Sequence, residues 1–235
     1  MKRVMFWAVS AVVFGAFADV GVAVNGEDVS AGLGDGWTYE NKVLTLSGEG
    51  PFTLSGTNTA GEVRIRQMSS STVTLSDLVL ESEESREKLE PVYAVGWDEG
   101  DGSAISANLL LKGDSRLQNN GDKYETLTRQ SGIFVSHGST LRINTADGSE
   151  DASLTAIGGT GSAGIGGGRD YAMGKLVIDG GKITAKGGTC GAGIGGGVFW
   201  GTEGVHPGTI EINAGLIRTD GNGWNAAGTG RGGGD

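Results

Sequence analysis

Short stretches of alternating apolar and polar residues recur along the chain and predict β-strands rather than helices. Leu176 and Ile178 are separated by Val177, so an extended strand places the two aliphatic side chains on one face. Aliphatic pairs of this kind recur at steps of 36, 32, 35 and 34 residues. The five pairs are Val73/Leu75, Leu109/Leu111, Leu141/Ile143, Leu176/Ile178 and Ile210/Ile212. This spacing predicts five repeat units that share one period.

A longer internal repeat lies in the second half of the chain. The segment TAIGGTGSAGIGGG (155–168) is identical at 11 of 14 positions to TAKGGTCGAGIGGG (184–197), 29 residues further on. Short strands separated by glycine turns, in units of this size, are typical of a solenoid, because no single unit can bury its own apolar face. Parallel crossover connections are right-handed in nearly all proteins. The sequence therefore predicts an all-β fold, a right-handed single-stranded parallel β-helix with about 30–35 residues per coil.

Three regions of different composition divide the chain. Residues 1–18 combine Lys2 and Arg3 with an apolar run and an Ala-Phe-Ala motif, which is the pattern of a secretory signal peptide. Residues 19–69 predict an N-terminal cap with the first coil, and residues 70–235 predict the remaining coils. The chain ends in GTGRGGGD, which looks like another glycine-rich turn. Two interpretations stay open: the chain is truncated, or further coils or a partner complete this C-terminal edge.

Acidic residues outnumber basic residues by 28 to 18, and the formal net charge is −10. Lys2 and Arg3 belong to the predicted signal peptide, so cleavage changes this charge to −12. We expect no nucleic-acid partner, because binding a polyanion requires clustered Lys and Arg. No later apolar stretch approaches the ~20 residues that span a bilayer. We therefore expect a secreted protein, extracellular or at the cell surface, with no transmembrane segment after cleavage.

Residue types that bind metals or catalyse reactions are sparse. Asp98, Glu99 and Asp101 offer oxygen ligands for Ca²⁺, the one cofactor kept as a candidate, and the acidic stretch 146–152 offers the same. A glycosidase needs two carboxylates on neighbouring outward positions. The predicted outward column has no such pair; it contains Thr74, Leu110, Arg142, Val177 and Glu211. We expect no enzymatic activity, and a polysaccharide lyase or glycoside hydrolase is kept as an alternative because other faces could hold a pair.

Two glycine-rich turns are followed by segments that combine aromatic and charged residues. Aromatic rings pack on the C–H faces of sugars, while polar groups bind the hydroxyls. Stacked coils would bring the two segments together. The alternative is that the aromatic side chains fold back onto the coil as a hydrophobic cover. The candidate ligand-binding residues are Arg169, Asp170 and Tyr171 in the first segment, and Phe199, Trp200, Glu203 and His206 in the second.

The segment GKLVIDGGKITAKGGTCGAGIGGG (174–197) resembles the glycine-rich coils of bacterial secreted β-helix proteins described as carbohydrate-binding domains. The resemblance covers mainly residues 154–215. It implies a bacterial protein that binds extracellular polysaccharide without cleaving it, with Ca²⁺ as an optional cofactor. We therefore expect a partner among polysaccharides or cell-wall glycans. The alternative function is a structural or adhesive surface protein, in which this chain is a fragment of a longer passenger.

Overall fold

The computed structural model describes residues 20–82, 90–96, 104–122, 129–198, 208–223 and 227–230. This part of the chain is built from β-strands, with one short 3-10 helix at Val29–Ala31 and no α-helix. The prediction of an all-β fold is confirmed. Within the same residues, no helix has the length and apolar character needed to cross a membrane. The predicted signal peptide lies outside the described residues.

The described residues contain 21 strands, most of them shorter than eight residues. In chain order they are β1 (Val22–Val24), β2 (Glu27–Asp28), β3 (Leu33–Gly34), β4 (Trp37–Glu40), β5 (Val43–Leu46), β6 (Phe52–Asn58), β7 (Arg64–Gln67), β8 (Thr72–Glu81), β9 (Tyr93–Val95), β10 (Ser106–Lys112), β11 (Asp114–Gln118), β12 (Ile133–Val135), β13 (Thr140–Thr145), β14 (Ser153–Ile157), β15 (Ile165–Gly166), β16 (Lys175–Ile178), β17 (Lys182–Thr189), β18 (Ile194–Gly195), β19 (Thr209–Ile212), β20 (Leu216–Asn222) and β21 (Thr229–Gly230).

These strands form three ladders, and every pairing that involves only β5 to β21 is parallel. The first ladder runs β6, β8, β10, β13, β16, β19, and the second runs β6, β8, β11, β14, β17, β20. Both ladders belong to one twelve-stranded sheet, because β6 and β8 are long enough to take part in each. The first half of each of these strands lies in the first ladder and the second half lies in the second ladder. The third ladder, from β4 and β5 through β7, β9, β12, β15 and β18 to β21, lies in a nine-stranded sheet. The prediction of long parallel sheets is therefore confirmed.

The register of the first ladder corrects one predicted pairing. Leu109 pairs with Ile143, so the step between these strands is 34 residues and not the 32 expected from the aliphatic pairs. The alignment of Leu109 with Leu141 was therefore wrong by two residues. The cause is Ala107, a buried small residue that is in register with Leu141 and that a search for large aliphatic side chains does not detect. The shift leaves each side chain on its predicted side of the sheet, because side chains alternate with a period of two.

Aliphatic side chains from all three ladders form one continuous core. Leu141 and Leu176 are fully buried in register with each other, and Ile210 of the last strand packs against the same core. Burial of one such side chain contributes about 1.5–3 kcal/mol. Ordering each backbone residue costs about 1–2 kcal/mol, so stability depends on many strands sharing this interior.

Glycines in the third ladder permit close approach of consecutive strands. Gly166 and Gly195 have φ values of +136° and +134°, a region that residues with a Cβ rarely adopt. A Cβ at Gly166 would overlap the carbonyl oxygen of Gly195, and a Cβ at Gly195 would overlap that of Gly230. The glycine that follows Ile in each repeated IGGG motif is therefore required for the close stacking of neighbouring strands.

Antiparallel hairpins close the N-terminal end of the ladders. Strand β1 pairs antiparallel with β6 and with the two-residue β2, and β4 pairs antiparallel with β5 and with the two-residue β3. Trp37 is buried in the core, and Tyr39 packs against it while its hydroxyl donates a 2.7 Å hydrogen bond to the Glu62 carbonyl oxygen. This end of the molecule therefore presents only short edge strands.

Candidate functional site

On the outer surface of the first ladder, five charged or amide side chains of its last three strands contact one another, and we call them the polar face. Arg142 is in register with Val177, and Val177 is in register with Glu211. Neighbouring strands lie about 4.8 Å apart, so equivalent positions form straight rows across the sheet. The polar face consists of Arg142, Lys175, Asp179, Glu211 and Asn213.

One amide joins the two acidic residues of the polar face. Asn213 Nδ2 donates to Asp179 Oδ1 at 2.8 Å and to Glu211 Oε1 at 3.3 Å. Arg142 Nη1 forms an ion pair with Asp179 Oδ2, and Lys175 Nζ lies 3.0 Å from Glu211 Oε2. All five side chains therefore belong to one hydrogen-bonded network that links three consecutive strands.

Both carboxylates of the polar face are held in their ionised form. The hydrogen bond from Asn213, aided by the ion pair with Arg142, keeps the pKa of Asp179 below its ordinary value. The hydrogen bond from Lys175, followed by that from Asn213, does the same for the pKa of Glu211. A general acid for glycoside hydrolysis needs a raised pKa. At neutral pH these carboxylates therefore accept hydrogen bonds and have no proton to donate.

An open cleft of about 380 Å³ adjoins the polar face. The cleft lies where the chain passes from strands of the third ladder to strands of the first ladder. Lys175 belongs to both the cleft and the polar face. Its other lining residues carry an imidazole, two hydroxyls and a thioether. They include His137, Ser139, Met173 and Thr209.

The first predicted binding segment is less exposed than the sequence suggests. Arg169 is only 6% exposed, and its Nε lies 3.6 Å from Asp170 Oδ2. The cause is that this segment is covered by neighbouring backbone, since the Asp170 N–H donates to the Val198 carbonyl at 3.0 Å and the Val198 N–H donates to Gly161. This contact brings Val198 beside the first predicted segment.

Tyr171 is half-buried in an aromatic and cationic cluster that the sequence did not reveal. Its ring contacts Phe134 edge to face, with the ring centroids 6.1 Å apart. The guanidinium of Arg129 lies 4.0 Å from the centroid of the Tyr171 ring. Cation–π contacts of this kind contribute about 0.5–2 kcal/mol. Part of the Tyr171 ring therefore serves packing, and only the remainder is open to a ligand.

The other predicted site residues lie outside the described residues. This holds for the four ligand-binding candidates Phe199, Trp200, Glu203 and His206, and for the three calcium candidates Asp98, Glu99 and Asp101. Among the residues that the structure does describe, no three His, Cys, Asp or Glu side chains group in a way that could hold a metal ion. In the acidic stretch 146–152, Asp151 Oδ1 lies 2.8 Å from Lys182 Nζ.

Sequence reasoning missed the acidic pair of the polar face because it followed a single column of residues. Asp179 and Asn213 lie one residue beyond their strands and belong to the next outward row. A signal for this row was present, because an Asn or Asp directly follows the second aliphatic residue of three consecutive pairs. These three residues are Asn144, Asp179 and Asn213.

Comparison with known proteins identifies no relative of this chain. No protein-family model, curated protein or solved structure matches this chain. What the polar face does must therefore be inferred from its own residues.

Proposed function

We propose that this protein binds neutral polysaccharide, such as a cell-wall glycan, outside a bacterial cell and does not cleave it. The binding surface is the polar face together with the adjoining cleft. The observation that carries the proposal is the single network through which Arg142, Lys175, Asp179, Glu211 and Asn213 connect three neighbouring strands. We propose further that the ladders wind as a right-handed parallel β-helix, in which each coil adds one strand to each ladder.

The donors and acceptors of the polar face match the chemistry of sugar hydroxyls, which both donate and accept hydrogen bonds. Arg142 and Lys175 only donate, the two carboxylates only accept, and the Asn213 amide does both. The side chains already hold one another in place, so binding loses less conformational entropy than it would with free side chains. The strand spacing of about 4.8 Å is comparable to the length of one sugar unit, so an extended glycan could contact successive rows.

Charge favours a neutral ligand over an anionic one. The polar face contains two cationic and two anionic side chains and is balanced, whereas the whole chain has a formal net charge of −10. An anionic polysaccharide would be repelled by the surrounding field. A neutral glycan avoids this repulsion and uses every hydrogen-bonding group of the polar face.

The predicted loop residues complete the proposal. Tyr171 lies two residues before Met173 of the cleft, and we propose its open ring edge as a ligand contact. Arg169 and Asp170 precede it and form an ion pair with each other. Phe199, Trp200, Glu203 and His206 are proposed as further ligand contacts, and Asp98, Glu99 and Asp101 as an optional Ca²⁺ site.

Retention on insoluble neutral polysaccharides tests the proposal. We expect the mature chain to be retained, and we expect Arg142→Ala and Asn213→Ala to weaken retention about tenfold each, which is the effect of one lost charged or bidentate hydrogen-bonding group. Lys182→Ala is the matched control, because Lys182 also forms an exposed ion pair but lies on the second ladder. Trp200→Ala tests the second segment in the same assay.

Two results would overturn the proposal. One is a wild-type chain that no neutral glycan retains, and the other is equal retention of Arg142→Ala, Asn213→Ala and wild type. Release of reducing sugars or unsaturated oligosaccharides by the purified protein would instead support the enzymatic alternative.

A structural or adhesive role is the second candidate function. It is favoured by one observation, the exposed apolar side chains on the last strands of the ladders. A surface of that kind favours assembly.

A further inference from the structure

The last strands of the three ladders form an open edge, with exposed apolar side chains on β19 and β20. Ile212 of β19 is 49% exposed, whereas its register partner Ile178 in the preceding strand is fully buried. Leu216 of β20 is 68% exposed. Among the described residues, β19, β20 and β21 pair on one side only. Unpaired strand edges with apolar side chains are the places where sheets take up further strands.

A glycine at this edge has the backbone conformation that permits close stacking of strands. Gly230 of β21 has the same backbone conformation as Gly195, with φ values of +127° and +134°. At Gly195 the next strand leaves no room for a Cβ. At Gly230 a Cβ would meet nothing nearer than the Ala227 Cβ, 3.9 Å away. The last strand therefore repeats a residue that close stacking requires, although no described part of the chain stacks there.

The opposite end of the molecule does not fit against this edge. There the ladders finish in antiparallel hairpins whose outer strands, β2 and β3, are two residues long. Such short edges offer few backbone groups for pairing, so head-to-tail stacking of two chains is disfavoured. The long edge of β20 is matched in length only by the same edge of another copy.

We propose that this edge binds the same edge of a second copy of this chain, with the two β20 strands antiparallel about a twofold axis at Thr219. The backbone hydrogen bonds of β20 are consistent with a twofold axis at Thr219. The Leu216 N–H donates to Gly181 of the neighbouring strand, and N–H groups alternate sides along a strand, so Thr219 faces the open edge. Two facing Thr219 residues can therefore exchange both of their backbone hydrogen bonds.

The charges of β20 are complementary in this arrangement. Antiparallel pairing centred on Thr219 places Arg218 opposite Asp220 of the partner subunit, and the symmetry creates this pair twice. Arg218 is in register with the uncharged Thr184, and Asp220 is in register with Lys186. Within the described residues, neither Arg218 nor Asp220 forms an ion pair. The dimer therefore gives the Arg218 guanidinium a carboxylate partner that the described residues of its own chain do not supply.

This inference does not depend on glycan binding, because the strand that pairs in the dimer is β20 of the second ladder, whereas the polar face belongs to the outer surface of the first ladder. If both proposals hold, the dimer presents two polar faces to one glycan. Bivalent binding of that kind raises the overall affinity.

Sedimentation equilibrium of the mature chain over a wide concentration range tests the proposal. We expect a monomer–dimer equilibrium for the wild type. Arg218→Asp places like charges opposite each other twice and should raise the dimer dissociation constant at least about tenfold. The exchanged variant R218D/D220R restores opposite charges and should recover dimerisation. Lys112→Asp, a charge reversal on the exposed side of β10, is the control and should dimerise like the wild type.

Three outcomes would overturn the proposal. The first is a wild type that stays monomeric at every concentration, with the edge amides of Ile217 and Thr219 protected from hydrogen exchange by the chain itself. The second is a dimer that Arg218→Asp leaves unchanged. The third is open-ended polymer in place of a dimer, which would indicate head-to-tail stacking. Retention on polysaccharide is measured separately on the same variants, so failure of either proposal is seen independently of the other.

Discussion

The Tyr93 hydroxyl donates a 2.7 Å hydrogen bond to Gln67 Oε1 inside the largely aliphatic core. Gln67 Nε2 in turn donates to the Ser71 carbonyl at 2.9 Å, so this polar group is satisfied although it is fully buried. Burial raises the pKa of Tyr93, which keeps the hydroxyl protonated and able to donate. The pair joins neighbouring strands β7 and β9 of the third ladder.

Tyr93→Phe should lower the free energy of unfolding by about 1–3 kcal/mol, because it leaves the buried Gln67 Oε1 without this donor. Tyr39→Phe is the matched control, since its hydroxyl bonds a carbonyl near the surface where water can replace it. Urea denaturation of both variants measures the difference. Equal losses in the two variants would contradict the assignment of a buried, water-excluded hydrogen bond.

Leu176→Ala should lower the free energy of unfolding by about 2–5 kcal/mol, because it opens a cavity in the column shared by three strands. Leu33→Ala, at a position that is 67% exposed, should change it by less than about 0.5 kcal/mol. Chemical denaturation checks both values. A small loss at Leu176 would show that the aliphatic interior is not continuous.

Gly195→Ala should lower the free energy of unfolding by about 3 kcal/mol or more, because backbone strain adds to overlap with Gly230. Gly230→Ala has the same strain without overlap inside one chain, so we expect a loss of about 1–2 kcal/mol. Thermal unfolding at low protein concentration isolates the single-chain effect. Indistinguishable variants would contradict the close stacking of β18 on β21.

Retention on polysaccharide should be constant from pH 7 to about pH 5 and should fall as the pH drops below about 4. The pKa values of Asp179 and Glu211 are lowered in the folded protein, so their interactions are fully present above the ordinary carboxyl pKa and are lost as the pH falls through the lowered values.

The double variant D179N/E211Q serves as the control for this pH dependence. It lacks both titrating groups, so it should bind more weakly at neutral pH and show a flat acid profile. A wild-type profile that changes between pH 7 and pH 5 would implicate another titrating group.

Strand positions and the side of each strand that faces the interior were largely predictable, because they follow from local alternation of residues such as Leu176, Val177 and Ile178. The pairing of neighbouring strands was predictable where large aliphatic residues align. It was wrong at Leu109 and Leu141, since a shift of two residues preserves the alternation and only the stacking of whole strands selects between the two registers.

The surroundings of the candidate site residues could not be predicted from the sequence. Arg169 was a candidate ligand contact, and in the structure it is covered by neighbouring backbone. Conversely, the network of Asp179, Glu211 and Asn213 depends on residues 34 positions apart in the chain.

The amino-acid sequence by itself determined that this chain forms parallel β-ladders with a shared aliphatic interior, because alternation and glycine turns act through neighbours along the chain. Only the tertiary structure decided which side chains meet across strands and which remain open to solvent. The physical reason is that these contacts depend on strand register and on coverage by distant segments, and many sequences with the same local pattern would arrange them differently.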